Sequence, residues 1–320
     1  MKAGRQTTLG ARATVTGIGV HSGLPVSITF HPADAGTGVV FVRLDAHGRP
    51  EREVRAHAHS VAATELATVL GDAASGPCVS TIEHIMAALC GLGVDNAIIE
   101  IDGAEAPIMD GSAAAFVAAI DQAGIVALAA PRRFTKVLKP IRVQKGDAYG
   151  ELMPYDRGFR VDVTIDFEHQ LIGQQSIALD VEATAFRREV ARARTFGFMK
   201  DVSRLWAAGF GRGASTENTL VLDEDRLLNP EGLRFADEFV RHKALDAIGD
   251  LALAGAPLLC AYKSFKGGHR LNHAVLSALL NDPTAWTVIE AKSDIRAPRH
   301  RGHADIAAGI AAPVYRADLS

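Results

Sequence analysis

The sequence of 320 residues has few cysteines, no excess of charge of one sign and no long apolar run. Its three cysteines are far apart and form no CxxC pair, which argues against a disulfide framework or a cysteine zinc site and favours a reducing, cytoplasmic setting. The 34 basic and 37 acidic residues give a net charge of −3, so no basic field points to nucleic acid as a partner. The composition is that of an ordinary globular protein.

The chain also lacks segments that would place it in a membrane. Its N-terminus, MKAGRQTTLGARATVTG, has no apolar core of a secretory signal. In the two most apolar stretches, SAAAFVAAIDQAGIVALAA and ALDAIGDLALAGAPLLCAY, acidic residues intervene before about 18 apolar residues accumulate. We therefore predict no integral membrane segment.

One pattern of segments occurs twice along the chain. In each half, stretches that alternate like strands are followed by a helix, a strand and a second helix, the last of which is expected to begin at His273. The segment AAPRR at 129–133 is predicted to be a linker. We therefore predict an α+β fold of two similar domains, residues 1–128 and 129–320, with extra material in the second at about 176–229.

Two predicted helices carry residues that could bind a metal ion. His242 and Asp246 lie four residues apart in FADEFVRHKALDAIGDL, which puts both on one helix face. Glu83 and His84 stand together at the start of the helix in STIEHIMAALCGLG. If the two helices face each other between the domains, two histidines and a carboxylate would form a hydrolytic zinc site with a spare carboxylate beside it.

The same residues allow plainer interpretations. His242 and Asp246 could be a surface pair that stabilises the helix by about 0.2–0.5 kcal/mol, since HKALD lacks the specificity of the HExxH motif. Ser80-Thr81-Ile82-Glu83 fits a capping box, in which Glu83 accepts a hydrogen bond from the backbone N–H of Ser80. From the sequence we favour this cap over a catalytic carboxylate.

Three further residues have both a chemical and a structural interpretation. His269, among glycines in KGGHRLNH, is expected in a loop, where it could act as a general acid or simply be solvated. Lys243 points about 100° away from His242 around the helix, so it could reach an anionic substrate group or lie on the surface. Thr195 could donate its hydroxyl group to an oxyanion or pack beside the aromatic residues that follow it.

A fourth feature is an apolar stripe at helical spacing within the inserted segment. Its members are Phe198, Val202, Leu205 and Trp206, and glycines follow them. The stripe could belong to the core, or it could line a groove for an alkyl chain.

Taken together, several segments resemble the UDP-3-O-acyl-N-acetylglucosamine deacetylases of lipid A synthesis in Gram-negative bacteria. In chain order they are TGIGVHSG, STIEHIMAALCGLGVDNAIIEIDGAEAPIMDGSAAAFV, VDVTIDF, ARTFGFMKDV, NPEGLRFADEFVRHKALDAIGDL and GGHRLN. The resemblance covers essentially the whole chain. It implies zinc-dependent hydrolysis of the N-acetyl group of a UDP-linked, 3-O-acylated glucosamine, which is the committed step of that pathway. It also implies two α+β domains, each a layered sandwich of sheet and helices.

The resemblance further implies a role for individual residues. It places zinc ligands at His84, His242 and Asp246, a general base at Glu83 and a second acid–base residue at His269. Substrate would be held by an oxyanion-binding Thr195, by Phe196 against the sugar, by Lys243 and Lys266 near phosphate, and by an acyl passage that includes Val202 and Leu205.

Two departures from the family pattern concern substrate and inhibitor fit. Ala67 stands where some members have a cysteine that can hold a second, inhibitory zinc ion. Gly211 and Arg212 stand where larger apolar residues often line the acyl passage. A zinc amidase acting on a peptide, a non-catalytic nucleotide-sugar-binding protein and a purely structural protein remain as alternatives, and a monomer is expected.

Overall fold

The computed structural model describes residues 4–72 and 76–291, and it combines α-helices with several β-sheets. The first half contains β1 (Arg5–Leu9), β2 (Ala13–Ile18), β3 (Pro25–Pro32), β4 (Val39–Leu44), β5 (Pro50–Arg55), β6 (Val61–Ala63), β7 (Val69–Asp72), β8 (Gly76–Val79), α1 (Glu83–Leu92), β9 (Ala97–Ile101) and α2 (Ala114–Ala123). The prediction of mixed α and β structure is confirmed. No helix within these ranges is long and apolar enough to cross a membrane.

The second half has the same succession with additional elements. It contains β10 (Ile125–Pro131), β11 (Arg133–Val137), β12 (Ile141–Lys145), β13 (Ala148–Pro154), β14 (Phe159–Phe167), β15 (Gly173–Asp180), α3 (Ala183–Glu189), β16 (Phe196–Phe198), α4 (Met199–Ala207), β17 (Leu220–Leu222), α5 (Glu238–Leu251), β18 (Leu258–Phe265), α6 (His269–Leu280) and β19 (Trp286–Glu290). The end of the predicted second domain, 292–320, lies outside the described residues.

The two large sheets share one topology. In the first half, β9 lies between the hairpins β2–β3 and β4–β5, antiparallel to β3 and parallel to β4. In the second half, β18 lies between the hairpins β12–β13 and β14–β15, antiparallel to β13 and parallel to β14. Each of these central strands follows directly on a buried helix, α1 or α5. The repeat seen in the sequence pattern is therefore also a repeat of strand order.

Helices α1 and α5 pack closely against each other. Almost every residue of α1 is buried, in agreement with its apolar sequence, and α5 is exposed only at a few positions. At their contact a Cβ atom on Gly249 would lie 2.0 Å from the carbonyl oxygen of Glu83. Because only glycine leaves room for that approach, Gly249 allows the amino-terminal end of α1 to reach the last turn of α5.

Two predictions about chain organisation are wrong. The expected linker at 129–133 includes the end of β10, which pairs with β1, and the start of β11. Its alanines and proline continue a strand because β1 supplies a partner that the local sequence does not reveal. The last helix begins at His269 rather than His273, since the Gly267-Gly268 pair directly precedes the first helical turn.

Candidate metal centre and active site

Three buried side chains from α1 and α5 converge on one point. One nitrogen of His84, one nitrogen of His242 and one oxygen of Asp246 all lie within 4.8 Å of one another. The Oδ1 atom of Asp246 is 3.3 Å from Nε2 of His242 and 3.7 Å from Nε2 of His84. Ligand atoms at about 2.0–2.2 Å from a tetrahedral zinc ion stand about 3.4 Å apart. The three residues could therefore hold one divalent cation with little movement.

His242 is prepared to act as a metal ligand. Its Nδ1–H donates a hydrogen bond to the carbonyl oxygen of Ala193 at 3.0 Å, which leaves the lone pair of Nε2 facing the other two residues. Burial is the main reason that the pKa of His242 falls to about 3, although Asp246 acts in the opposite direction. The imidazole is thus neutral at pH 7, as metal binding requires.

Asp246 provides the main evidence that the site is built for a cation. Burial opposes ionisation, yet His242 and Lys243 hold the pKa of Asp246 well below its ordinary value. Its Oδ2 atom accepts a hydrogen bond from Nζ of Lys243 at 2.8 Å. Its Oδ1 atom is buried and has no hydrogen-bond partner among the described residues. A buried carboxylate oxygen without a donor is costly, and a metal ion would satisfy it.

Glu83 does not form the predicted capping box. Ser80 donates its backbone N–H to the carbonyl oxygen of Ala104, whereas Oε2 of Glu83 accepts from the backbone N–H of Thr68 at 3.0 Å. The cap is excluded because Glu83 is the first residue of α1 and is buried against α5 rather than turned back along its own chain. Burial raises the pKa of Glu83. A carboxylate whose pKa is moved towards neutrality is better suited to accept a proton from water.

His269 lies at the start of α6 and not in a loop. Its Nδ1–H donates to Oδ2 of Asp250 at 2.9 Å, and its Nε2 is 4.0 Å from Oδ2 of Asp246. Burial alone would lower the pKa of His269, but the charge and hydrogen bond of Asp250, with Glu83 and Asp246, raise it to about 10. In the metal-free protein His269 is therefore a cation that carries a proton towards the site.

Asp250 is a buried neighbour of these groups that the sequence analysis did not single out. Besides His269, it accepts hydrogen bonds from Oγ1 of Thr68 at 2.6 Å and from Nδ2 of Asn272 at 2.8 Å. Asn272 in turn accepts from the hydroxyl group of Tyr262. The spacing of 242, 246 and 250 would have revealed it, because each step of four residues returns to the same helix face.

Lys243 is not the surface lysine that one interpretation allowed. Its Nζ atom contacts Asp246 and lies 5.6 Å from the centre of the Phe196 ring, and the charge of Asp246 outweighs burial to raise its pKa. The Phe196 ring also packs edge-on against Phe239, and its centre is 6.5 Å from that of the His242 ring. Both substrate-binding candidates therefore border the metal ligands.

Thr195 is held by a buried ion pair next to it in sequence. The guanidinium group of Arg194 donates to both carboxylate oxygens of Glu238, at 2.9 and 3.2 Å, and both side chains are almost fully buried. Glu238 lies one helical turn before His242. The pair thus fixes the segment that carries the Ala193 carbonyl group and Thr195 against the first turn of α5.

The comparison with known proteins agrees with this arrangement. The family model described as "LpxC: UDP-3-O-acyl N-acetylglycosamine deacetylase" matches residues 6–281. Proteins of Brucella ovis, Brucella canis and Brucella melitensis biotype 2, each named UDP-3-O-acyl-N-acetylglucosamine deacetylase, are 51% identical to this chain over 287 residues, which is 89% of this chain and 99% of each relative. The chain belongs to this family. It is therefore an enzyme, of a deacetylase class.

In this LpxC family member only the first residue of the apolar stripe reaches the core: Phe198 packs against it and contacts the rings of Phe167 and Phe196. No residue of α4 is buried, and Trp206 is 60% exposed. Val202 and Leu205 are partly exposed on the same helix. Trp206 donates its indole N–H to the carbonyl oxygen of Gly211, and the backbone N–H of Arg212 donates to the carbonyl oxygen of His21, so Gly211 and Arg212 lie in the turn after α4. The helix leaves an apolar face uncovered.

The contacts of Lys266 do not include any of the proposed metal ligands. Its Nζ atom pairs with Asp147 at 2.8 Å and with Asp166 at 3.2 Å. Ala67, in contrast, is buried directly before Thr68, whose backbone supports Glu83. An alanine there offers no thiolate for a second metal ion.

Backbone strain is concentrated in the loops that present these groups. Leu66, Thr81 and Lys266 have positive φ angles of 63°, 61° and 53° although none is glycine. They lie two or three residues before Thr68, Glu83 and His269 respectively. Such conformations cost about 1–3 kcal/mol each and are typical of functional sites.

Proposed function

We propose that this protein hydrolyses the N-acetyl amide of a UDP-linked, 3-O-acylated glucosamine, releasing acetate and a free amine in lipid A synthesis. The observation that carries the proposal is the convergence of His84, His242 and Asp246 beside Glu83 in a member of this deacetylase family. Its relatives are named for that activity, and the match covers 99% of their length.

The proposed metal is zinc, held by the two histidines and the aspartate. When bound there, zinc supplies a Lewis acid that makes water acidic enough to attack at neutral pH. The mixed nitrogen and oxygen donor set, closed by His84, His242 and Asp246, suits zinc and leaves a position open. The orphaned oxygen of Asp246 supports a cation rather than a structural hydrogen bond.

Glu83 and His269 divide the proton transfers in this proposal. Glu83, with its raised pKa and no place among the three ligands, accepts the proton of the attacking water. His269, held by Asp250, gives its proton to the departing nitrogen, which is a poor leaving group while unprotonated. The two groups therefore serve as base and acid in the same turnover.

The substrate-binding roles are assigned to residues that border these groups. Thr195 would donate to the oxyanion that forms on the acetyl carbonyl, a contribution of about 3–4 kcal/mol for a well-placed donor. Phe196 would pack against the sugar, and Lys243 would balance negative charge beside Asp246. Lys266 would meet phosphate by exchanging its present carboxylate partners for it.

The acyl chain would lie along the uncovered face of α4, near Val202 and Leu205. An amphipathic helix without a buried residue needs an apolar partner, and a 3-O-acyl chain provides one. A peptide amidase would have no use for this face. Its turn, with Gly211 and Arg212, would set the chain length that fits.

The proposed architecture is two similar α+β domains, each a layered sandwich, with the site at their interface. The repeated strand order and the matching positions of α1 and α5 support it, with the boundary between 128 and 129 falling inside β10. A monomer in the cytoplasm stays a prediction, which light scattering and cell fractionation would test.

Acetate release from UDP-3-O-(3-hydroxyacyl)-N-acetylglucosamine tests the function directly. We expect turnover that is lost on removing the metal and restored by zinc, and that falls when the 3-O-acyl chain is absent. Comparison with ferrous iron would identify the better metal. Binding of the substrate without acetate release would favour the non-catalytic alternative, and equal rates on an acylated and a non-acylated substrate would favour another amidase.

A further inference from the structure

A cavity of about 370 Å³, separate from the candidate metal centre, borders the carboxyl-terminal ends of α1 and α5. None of the residues assigned to the metal, to proton transfer or to the acyl passage lines it. Its wall comes from both halves of the chain, including 36–39 and 55–57 from the first and 132–133 and 251–258 from the second. Its volume is within the range of about 300–1,000 Å³ that small-molecule sites occupy.

The side chains that line this cavity carry a net positive charge. Three arginines line it, and Asp95 is the one carboxylate among the described residues of its wall. Asp95 is already paired with Arg132 at 2.9 Å. Arg55 makes only a 3.4 Å hydrogen bond to the carbonyl oxygen of Thr37, and the guanidinium group of Arg133 has no ion pair or hydrogen bond with any described residue. Two guanidinium groups are thus free to meet an anion.

The remainder of the wall is largely apolar. Met86 and Leu89 contribute from α1, while Leu251 and Leu258 contribute from the other half. Trp286 also lines the cavity, and its indole N–H is buried without a hydrogen-bond partner in the described part of the chain. Because this nitrogen is closed to atoms of water size, Trp286 adds to the wall without offering the cavity a hydrogen-bond donor.

We propose that this cavity is a binding site for a small molecule that has an apolar body and one carboxylate or phosphate group. The apolar body packs against the leucine and methionine side chains, while the anion meets Arg55 and Arg133. Charge-assisted bonds to guanidinium groups supply the specificity. The site is separate from the proposed deacetylation and does not depend on it.

Calorimetric titration of the full-length protein with four probes tests the proposal. The probes are 1-naphthoate, 1-naphthyl phosphate, the neutral 1-naphthamide and inorganic phosphate. We expect one saturable site for the naphthalene anions, with the neutral amide and inorganic phosphate each weaker by about tenfold or more. The ratio of the dissociation constants of 1-naphthoate and 1-naphthyl phosphate tells whether the site prefers a carboxylate or a phosphate group. The titrations are made with zinc-loaded and with chelator-stripped protein.

Variants in the wall identify the site. The double substitution Arg55→Glu with Arg133→Glu changes two exposed side chains and should weaken binding about tenfold or more. Arg12→Glu is the matched control, since Arg12 is exposed and does not line the cavity, and it should leave binding unchanged. If the double variant loses its fold, Arg133→Gln replaces it.

Three results would overturn the proposal. They are the absence of saturable binding, binding that disappears when the metal is removed, and binding that the two arginine substitutions leave unchanged. The second would place the probe at the metal centre. Because the measurement is of binding rather than turnover, each of these failures leaves the deacetylase activity to be judged by acetate release alone.

Discussion

Glu83 and His84 are neighbours in sequence, but their side chains make different contacts. His84 turns its Nε2 atom towards Asp246, while Glu83 accepts the backbone N–H of Thr68 and takes no part in the ligand group. Replacing Glu83 with Gln keeps the shape and an acceptor for Thr68 but removes the base. We expect kcat to fall by about 10²–10⁴ with unchanged metal content. Metal analysis beside the acetate assay checks this, and loss of metal from the variant would make Glu83 a ligand.

Asp250 sets the protonation of His269 in this mechanism. The substitution Asp250→Asn removes the charge that most raises the pKa of His269, so that pKa should fall from about 10. His269 acts in its protonated form, which predominates only at pH values below its pKa. The alkaline limb of the profile of kcat/KM against pH should therefore move to lower pH.

The pH profiles of the two proteins, with NMR titration of His269 without metal, measure this shift. Asp45→Asn serves as the control, because Asp45 is a partly exposed carboxylate that pairs with Arg49 in the turn between β4 and β5 and should not affect the profile. An alkaline limb that stays in place in Asp250→Asn would remove His269 from the acid role.

At the scale of elements, the contact between α1 and α5 positions the three proposed metal ligands. A Cβ atom at Gly249 would meet the carbonyl oxygen of Glu83 at 2.0 Å, so Gly249→Ala should push the two helices apart. Gly91→Ala is the comparison, since its Cβ would meet the Phe186 ring at 2.3 Å on another side of α1. Both should lower stability, although alanine ordinarily favours a helix by about 1 kcal/mol.

Only Gly249→Ala should also weaken zinc binding, which competition with a chromogenic chelator measures. The reason is that this substitution moves His84 relative to His242, whereas the Phe186 contact lies away from the ligands. Equal zinc affinity in the two variants would show that helix spacing does not control the site.

The buried pair of Arg194 and Glu238 ties another segment to α5. Removing one partner by Arg194→Met leaves an uncompensated buried charge, and we expect a loss of about 3–5 kcal/mol in the free energy of unfolding. Adding Glu238→Gln should restore part of it. The exposed pair Arg226–Asp223 is the control and should contribute about 0–1 kcal/mol. Denaturant unfolding of Arg194→Met, of Glu238→Gln, of the double variant and of the control measures these losses, and additive losses would contradict coupling of the buried pair.

The elements that carry the ligands were predictable, but their support was not. The 3.6-residue period of 238–251 fixes His242 and Asp246 on one face whatever packs there, so spacing sufficed. The partner of Glu83 is a backbone N–H from a strained loop fifteen residues earlier, for which the sequence has no periodic signal. Local propensity instead suggested a capping box. The error at 129–133 has the same origin, because the pairing of β10 with the distant β1 depends on tertiary structure and leaves no local sequence signal.

The molecule as a whole should depend on its metal for stability. The ligand atoms are buried at the contact of α1 with α5, and one carboxylate oxygen is otherwise unsatisfied. Metal binds the folded state and should therefore raise the melting temperature, which a chelator would lower until zinc is added in excess. Differential scanning calorimetry with and without chelator measures this, using His84→Ala as the control that should not respond. An unchanged melting temperature in the unaltered protein would mean that metal adds nothing to the fold.

The distribution of the ligands along the chain has a consequence for biosynthesis. His84 emerges from the ribosome early, but the third ligand, Asp246, is residue 246 of 320. Until α5 is synthesised, a nascent chain carries only one of the three proposed ligands, His84, and a single ligand does not close a zinc site. If these residues hold the metal as proposed, its loading follows the meeting of two distant helices, and a ribosome-bound fragment ending before α5 should emerge without zinc at this site.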